Sequence, residues 1–277
     1  KLNFENGTSA IVKQADSNLK YLGLETADVL PMMNYKKIIP APVIVAESKA
    51  FKDKLKIEIK SQNPKDVIYY LDVTKVDKES AKYITIYQGP FEITETSTIE
   101  FHCQNKDGQS NTITATFFKK PNNYSVNIKS VYNPQYHAGG PEGLLDGILG
   151  TENWRKGDWQ GYQSQDFEAV VDLKEVKNIT EISARFLQDS RSWILMPTKV
   201  EYYVSEDNVN FTYFGSVNNT LDPKLEENTI LNFTSNETKG KKARYVKVIA
   251  KNFGKLPEWH QGAGGDAFIF VDEITIK

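Results

Sequence analysis

The sequence predicts an all-β protein built as two sandwiches, and three observations carry that expectation. Short runs rich in Val, Ile, Thr, Tyr and Phe alternate with a period near two. No stretch keeps a helical period. Turn residues separate the runs, as they do in sandwiches and jelly rolls, and the composition changes once, near Pro121.

The first 39 residues resist assignment: "YLGLETADVLPMMNYKKIIPAP" reads as strand-poor packing against the next unit or as the tail of an upstream domain. Strand patterns then follow at 54–60 ("KLKIEIK"), 67–73 ("VIYYLDV"), 97–104 ("STIEFHCQ") and 111–118 ("NTITATFF"). "FFKKPNNYS" (117–125) ends a strand in a basic pair, a proline and two asparagines, which marks a boundary. We therefore expect one domain over 40–121 and a jelly roll over 122–277, its first and last strands close together. Within the second lie "FEAVVDL" (167–173), "KVEYYVS" (199–205), "RYVKVIA" (244–250) and "FIFVDEITI" (268–276). All four tryptophans and all four arginines fall after the boundary, so the residue types that binding sites favour concentrate there.

A chain of 277 residues can bury a core in each of two domains. Its formal net charge of -2 supplies no field for nucleic acid or an anionic membrane. The one cysteine, Cys103, leaves no intramolecular disulfide and is expected to be a small buried apolar residue. No apolar run is long enough to insert in a bilayer, and the start at Lys1 points to an excised or mature form.

The residues also carry a resemblance. "IYYLDVT", "IYQGPFEI" and "DGQSNTITATF" resemble the small fibronectin-type-III-like domain, of the immunoglobulin-like sandwich class, that follows the catalytic barrel in bacterial β-hexosaminidases and chitobiases. "YNPQYHAGGPEGLLDGILGTENWRKGDWQGYQSQDFEAVVDL" and "FLQDSRSWILMPTKVEYYVSEDNVNFTYFG" are similar to discoidin-like, coagulation factor V/VIII type C domains, the family 32 carbohydrate-binding modules. "PEWHQGAGGDAFIFVDEI" resembles the version attached to family 20 glycoside hydrolases of Bacteroidetes-type bacteria. The resemblance implies a C-terminal accessory region of a secreted, periplasmic or surface glycosidase, partnered by glycans and by the parent's catalytic barrel.

Catalysis by this chain is not expected. Glycoside cleavage needs two carboxylates about 5 to 10 Å apart across a cleft. Asp272 and Glu273 are adjacent, so in a strand they point to opposite faces. The three histidines, His102, His137 and His260, are scattered, and no nucleophile elbow or zinc-protease motif occurs.

A calcium ion wants six to eight oxygens, which a tight Asp-Gly loop helps to supply. In "LLDGILGTENW", Asp146 and Thr151 suit that role, and Glu273 joins them if the last strand passes the loop as the resemblance implies. Otherwise Asp146 simply caps a turn.

Sugar recognition needs an aromatic ring for the C–H face of a pyranose and directional polar groups at its rim. Three loops supply both: Trp154 and Gln160 in "NWRKGDWQGYQ", Arg191 and Trp193 in "QDSRSW", and Trp259, His260 and Asp266 in the closing stretch. Against this, Trp159 and Trp193 read equally as core, His260 as the partner of a loop carbonyl, and Arg191 as an ion-pair partner of Asp189. Two classes follow: a carbohydrate-binding region for galactose- or N-acetylhexosamine-containing glycans, or a structural module that buttresses the barrel. An exposed Trp259 favours the first, a buried one the second.

Overall fold

The computed structural model describes residues 2–3, 9–10, 38–76 and 84–277. Most of the unassigned segment 1–39 lies outside the described residues; within it Leu2–Asn3 (β1) pairs with Ser9–Ala10 (β2). The rest is all-β, with only short 3₁₀ turns at Pro141–Leu144, Trp154–Lys156 and Ser190–Ser192 among the described residues.

Among the described residues nine strands make the first sandwich: β3 (Val43–Val45), β4 (Ala50–Phe51), β5 (Leu55–Lys60), β6 (Val67–Asp72), β7 (Thr85–Ile86), β8 (Phe91–Ile93), β9 (Ser97–Asn105), β10 (Gly108–Gln109) and β11 (Ile113–Lys119). One sheet runs β3-β5-β8 and the other β4-β11-β9-β6-β7, with β10 paired to β9. Alternation sets the core: Leu55, Ile57 and Ile59 of β5 face Ile99 and Phe101 of β9, with Phe51 and Phe117 beside them. Cys103 continues that inward row and is fully buried.

The second sandwich contains β12 (Ser125–Ile128), β13 (Gln160–Gln163), β14 (Phe167–Gln188), β15 (Lys199–Ser205), β16 (Thr212–Asn218), β17 (Thr229–Lys251) and β18 (Phe268–Ile276). None of these strands pairs with a strand of the first sandwich. Ion pairs Lys49–Asp158 and Lys120–Glu142 join the two.

β14 and β17 form an antiparallel ladder from Phe167↔Ala250 to Gln188↔Thr229, broken by register shifts between Asp172 and Lys177 and between Ile179 and Glu181. Lys174 in the first shift takes φ +72°, and its N–H donates to Asp172 Oδ1 at 2.8 Å. The two halves of the ladder have different neighbours, β12 and β15 on one side of the shifts and β18 on the other. Val171 and Phe186, from opposite halves of β14, nevertheless join one core. The long pair thus supplies both layers of the sandwich. The first and last strands, expected to lie close, do not pair with each other; both add to β14.

Tyr202 of β15 pegs the layers together. Its hydroxyl donates to the Phe233 carbonyl and accepts from the Ala184 N–H at 3.1 Å, with the ring fully buried. Tyr202→Phe keeps the ring but orphans two buried backbone groups, so we expect a loss of about 1–3 kcal/mol in denaturant melts. Unchanged stability would show that the peg carries no weight.

Candidate functional site

The ladder ends at Gln188 and Thr229, and three loops converge there. The first is the turn after β14. Asp189 N–H bonds the Ile194 carbonyl at 3.0 Å, Trp193 N–H bonds the Ser190 carbonyl at 3.0 Å, and Trp193 takes φ +66°. Asp189 is buried, its Oδ2 accepting from Trp154 Nε1 at 3.0 Å and Ser192 Oγ at 2.8 Å. It forms no ion pair with Arg191.

The second loop, 256–265, closes at its neck through reciprocal bonds, Leu256 N–H to Gly265 carbonyl at 2.8 Å and Gly264 N–H to Leu256 carbonyl at 2.9 Å. Its tip grips the first turn. His260 Nδ1 accepts the Gly262 N–H at 2.9 Å, which leaves the hydrogen on Nε2 to donate to the Ser190 carbonyl at 2.6 Å. Gln261 Nε2 donates to the Arg191 carbonyl at 2.9 Å. The third loop precedes β17: Gln188 Nε2 holds the Asp222 carbonyl at 2.9 Å, and Asp222 Oδ1 accepts the Lys224 N–H at 2.9 Å.

Together they form an open pocket of about 450 Å³ lined by Arg191, Lys224, Glu226, Trp259, His260 and Gln261. The Trp259 ring is 42 % exposed, with the Lys224 ammonium 5.6 Å from its centroid. An exposed indole ringed by charged groups can stack on an apolar face while bonding polar groups at the edge.

Of the residues expected at a binding surface, the structure brings Arg191, Trp259 and His260 together. Three expectations need correction. His260 is buried with both ring nitrogens engaged, so it supports the loops and has none left for a ligand. Gln160 is fully buried, donating to the Gly140 carbonyl at 2.7 Å and accepting from the Tyr162 hydroxyl at 2.7 Å. Asp266 faces Lys255 at 2.8 Å, and that ion pair holds its carboxyl below the usual carboxylate range.

Trp154 also serves the scaffold, packed edge-on against Tyr136 and Phe270 with its N–H on Asp189. Trp193 is 36 % exposed and forms the bed on which the glycine run lies. A Cβ at Gly262 would come within 2.5 Å of that indole, and one at Gly265 within 3.0 Å. The glycines thus admit a tryptophan of the chain itself, rather than clearing an approach for a ligand. Lys224 and Glu226 were missed because "DPKLEEN" reads as any solvated loop.

A second acidic locus lies where β18 passes the 146–151 loop. Arg185 pairs with Glu273 and Phe186 with Val271, leaving Asp272 as the extra residue of a bulge. Both carboxylates therefore reach the same loop, correcting the expectation that they diverge: Asp272 Oδ2 accepts the Gly150 N–H at 2.6 Å and Glu273 Oε2 the Gly147 N–H at 3.1 Å. Arg185 forms an ion pair with Asp272. Burial pushes the Asp146 carboxyl up to about 6, and burial, helped by the charge of Asp146, pushes Glu273 up to about 9.

Asp146 Oδ1 accepts the Ile148 N–H at 2.8 Å and so caps its turn, and Asp146 and Glu273 each have one oxygen left that would be of the right chemistry for a hard cation. Thr151 is exposed and gives its carbonyl to Trp159 Nε1 at 2.9 Å. No group of three or more His, Cys, Asp or Glu is arranged to hold a metal among the described residues. A cation here would need backbone carbonyls to complete its shell.

The F5/8 type C domain family matches residues 125–265, just over half of the chain. The chain belongs to that family. The matched F5/8 type C region includes Arg191, Lys224 and Trp259. Solved structures similar to it include CpGH89CBM32-5 of Clostridium perfringens in complex with GalNAc-β-1,3-galactose, at 22 % identity over 56 % of this chain and 94 % of that one, TM-score 0.35. Another is the C-terminal domain of a chitobiase from Bacteroides fragilis, at 18 % identity over 55 % and 93 %, TM-score 0.35. A third is the family 32 module of C. perfringens NanJ in complex with galactose, at 16 % identity over 55 % and 92 %, TM-score 0.34. No curated protein matches the chain. No helix among the described residues is long and apolar enough to cross a membrane.

The packing of the glycine run on Trp193 is testable. Gly262→Ala must push the indole or lift the loop, so we expect a loss of about 1–3 kcal/mol and a change in Trp193 fluorescence. A variant as stable as the parent, with an unaltered spectrum, would mean that the loop does not rest on that ring.

Proposed function

We propose that this chain is a non-catalytic carbohydrate-binding region of a secreted, periplasmic or surface glycoside hydrolase, with a β-hexosaminidase-like parent. Residues 122–277 act as a family 32 carbohydrate-binding module and 40–121 as a fibronectin-III-like spacer toward the catalytic barrel. The observation that carries the reading is the exposed Trp259 ring in a pocket with a charged rim. Glycans containing galactose or N-acetylhexosamine present the apolar ring face such an indole takes. Affinity is modest, because a shallow site with few hydrogen bonds releases little net free energy after ordering costs.

The locked His260 and Gln160 favour a second reading, a structural module without glycan binding. A glycan array followed by Trp259→Ala separates the two. We expect the variant to lose glycan binding while stability stays within about 1 kcal/mol, since an exposed side chain leaves no cavity. A variant that binds normally, or one destabilised by the roughly 3–5 kcal/mol of a core tryptophan, would reject Trp259 as the stacking face.

We also propose that Asp146 and Glu273, with Thr151, hold a calcium ion that stiffens the 146–151 loop. Binding to the folded state alone raises the melting temperature with calcium concentration. Glu273→Gln should remove that rise; identical melting of the parent in calcium and in chelator would contradict the site.

A further inference from the structure

The chain has four arginines, and three of them have a partner in the fold. Arg244 forks onto Asp172 at 2.9 and 3.1 Å. Arg185 pairs with Asp272, and the Arg155 guanidinium lies 4.1 Å from the Trp154 ring centroid. Among the described residues Arg191 alone has neither a carboxylate nor a ring to engage, and it lines the pocket beside Trp259.

Its backbone is nonetheless held firmly. The Ser190 and Arg191 carbonyls are gripped by His260 and Gln261, so the arginine projects from a turn whose position is set before any ligand arrives. Asp189 next to it gives Oδ2 to Trp154 and Ser192, keeps Oδ1 buried without a partner and makes no ion pair with the arginine. The other cation of the pocket, Lys224, sits over the Trp259 ring and among the described residues makes no ion pair; Glu226 supplies an opposing charge.

A free guanidinium is matched in geometry by a carboxylate or sulfate, on which two parallel N–H bonds can close. A neutral sugar offers only hydroxyls, so much of that donor capacity would go unused. We propose that this pocket selects an anionic sugar, with its acid group on Arg191 and Lys224 and its ring against Trp259, while Glu226 accepts a hydroxyl. The proposal rests on the carbohydrate-binding reading and adds the class of sugar.

The test is a titration of the whole chain with galactose, galacturonic acid and galactose 6-sulfate, by calorimetry and by the shift of the indole N–H resonances. We expect at least one acidic sugar to bind about ten-fold more tightly than galactose at low salt, an advantage that shrinks at high salt. Comparing galacturonic acid with the sulfate identifies which anion is read. Arg191→Gln should erase the advantage, bringing the affinity for the acidic sugars down to that of the same variant for galactose, and Lys224→Gln should reduce it part-way.

Equal affinity for galactose and both acids, or an advantage that survives Arg191→Gln, would overturn the proposal while leaving a carbohydrate site in place. Absence of binding by every sugar, with array glycans also failing, would overturn the carbohydrate reading itself and the anionic preference with it.

Discussion

The β14–β17 ladder is the constraint on which the rest of the second sandwich depends. Strands of 22 and 23 residues pair almost end to end, and two register shifts let one continuous pair serve both layers. Because the ladder ends at Gln188 and Thr229, the turn leaving β14 and the loop entering β17 emerge at one rim. β18 pairs with β14 up to Leu187↔Phe270, so the loop before it arrives at the same place. Arg191, Lys224 and Trp259 lie far apart in sequence and meet because of that shared end.

Buried polar groups then convert proximity into fixed geometry. His260 joins two loops through one imidazole, Gln188 holds the third, and Asp189 anchors the turn from beneath. His260 and Gln188 would be costly to bury unpaired, so their bonds hold the loops in register, while Asp189 keeps one oxygen buried without a partner. The residues left exposed on this frame are those free to meet a partner: one indole, two cations and one carboxylate.

Much of the fold was legible from alternation alone. β15 and β18 coincide with runs read in the sequence, and β5, β6 and β9 differ by a residue at an end. The great length of β14 and β17 was not legible, because "LKEVKN" and "NETKGKK" are polar and look like turns; only partner strands turn them into bulged ladder. The site was half legible. Trp259 stood out because an aromatic beside a glycine run is conspicuous, yet nothing local shows that His260 spends both nitrogens on backbone, or that Gln160 is fully buried. Asp272 and Glu273 were placed on opposite faces by the period of a regular strand, which a single-residue bulge cancels.

The central claim is that the rim at the end of the ladder, with Trp259 as its exposed face, is where a glycan docks. The four indole N–H resonances report on it directly, since Trp154 and Trp159 donate within the fold whereas Trp259 lies open at the rim. On titration with a glycan bound by the chain, the account predicts that the Trp259 resonance moves with saturation while those of Trp154 and Trp159 stay fixed. A bound glycan that leaves the Trp259 resonance unmoved would contradict it.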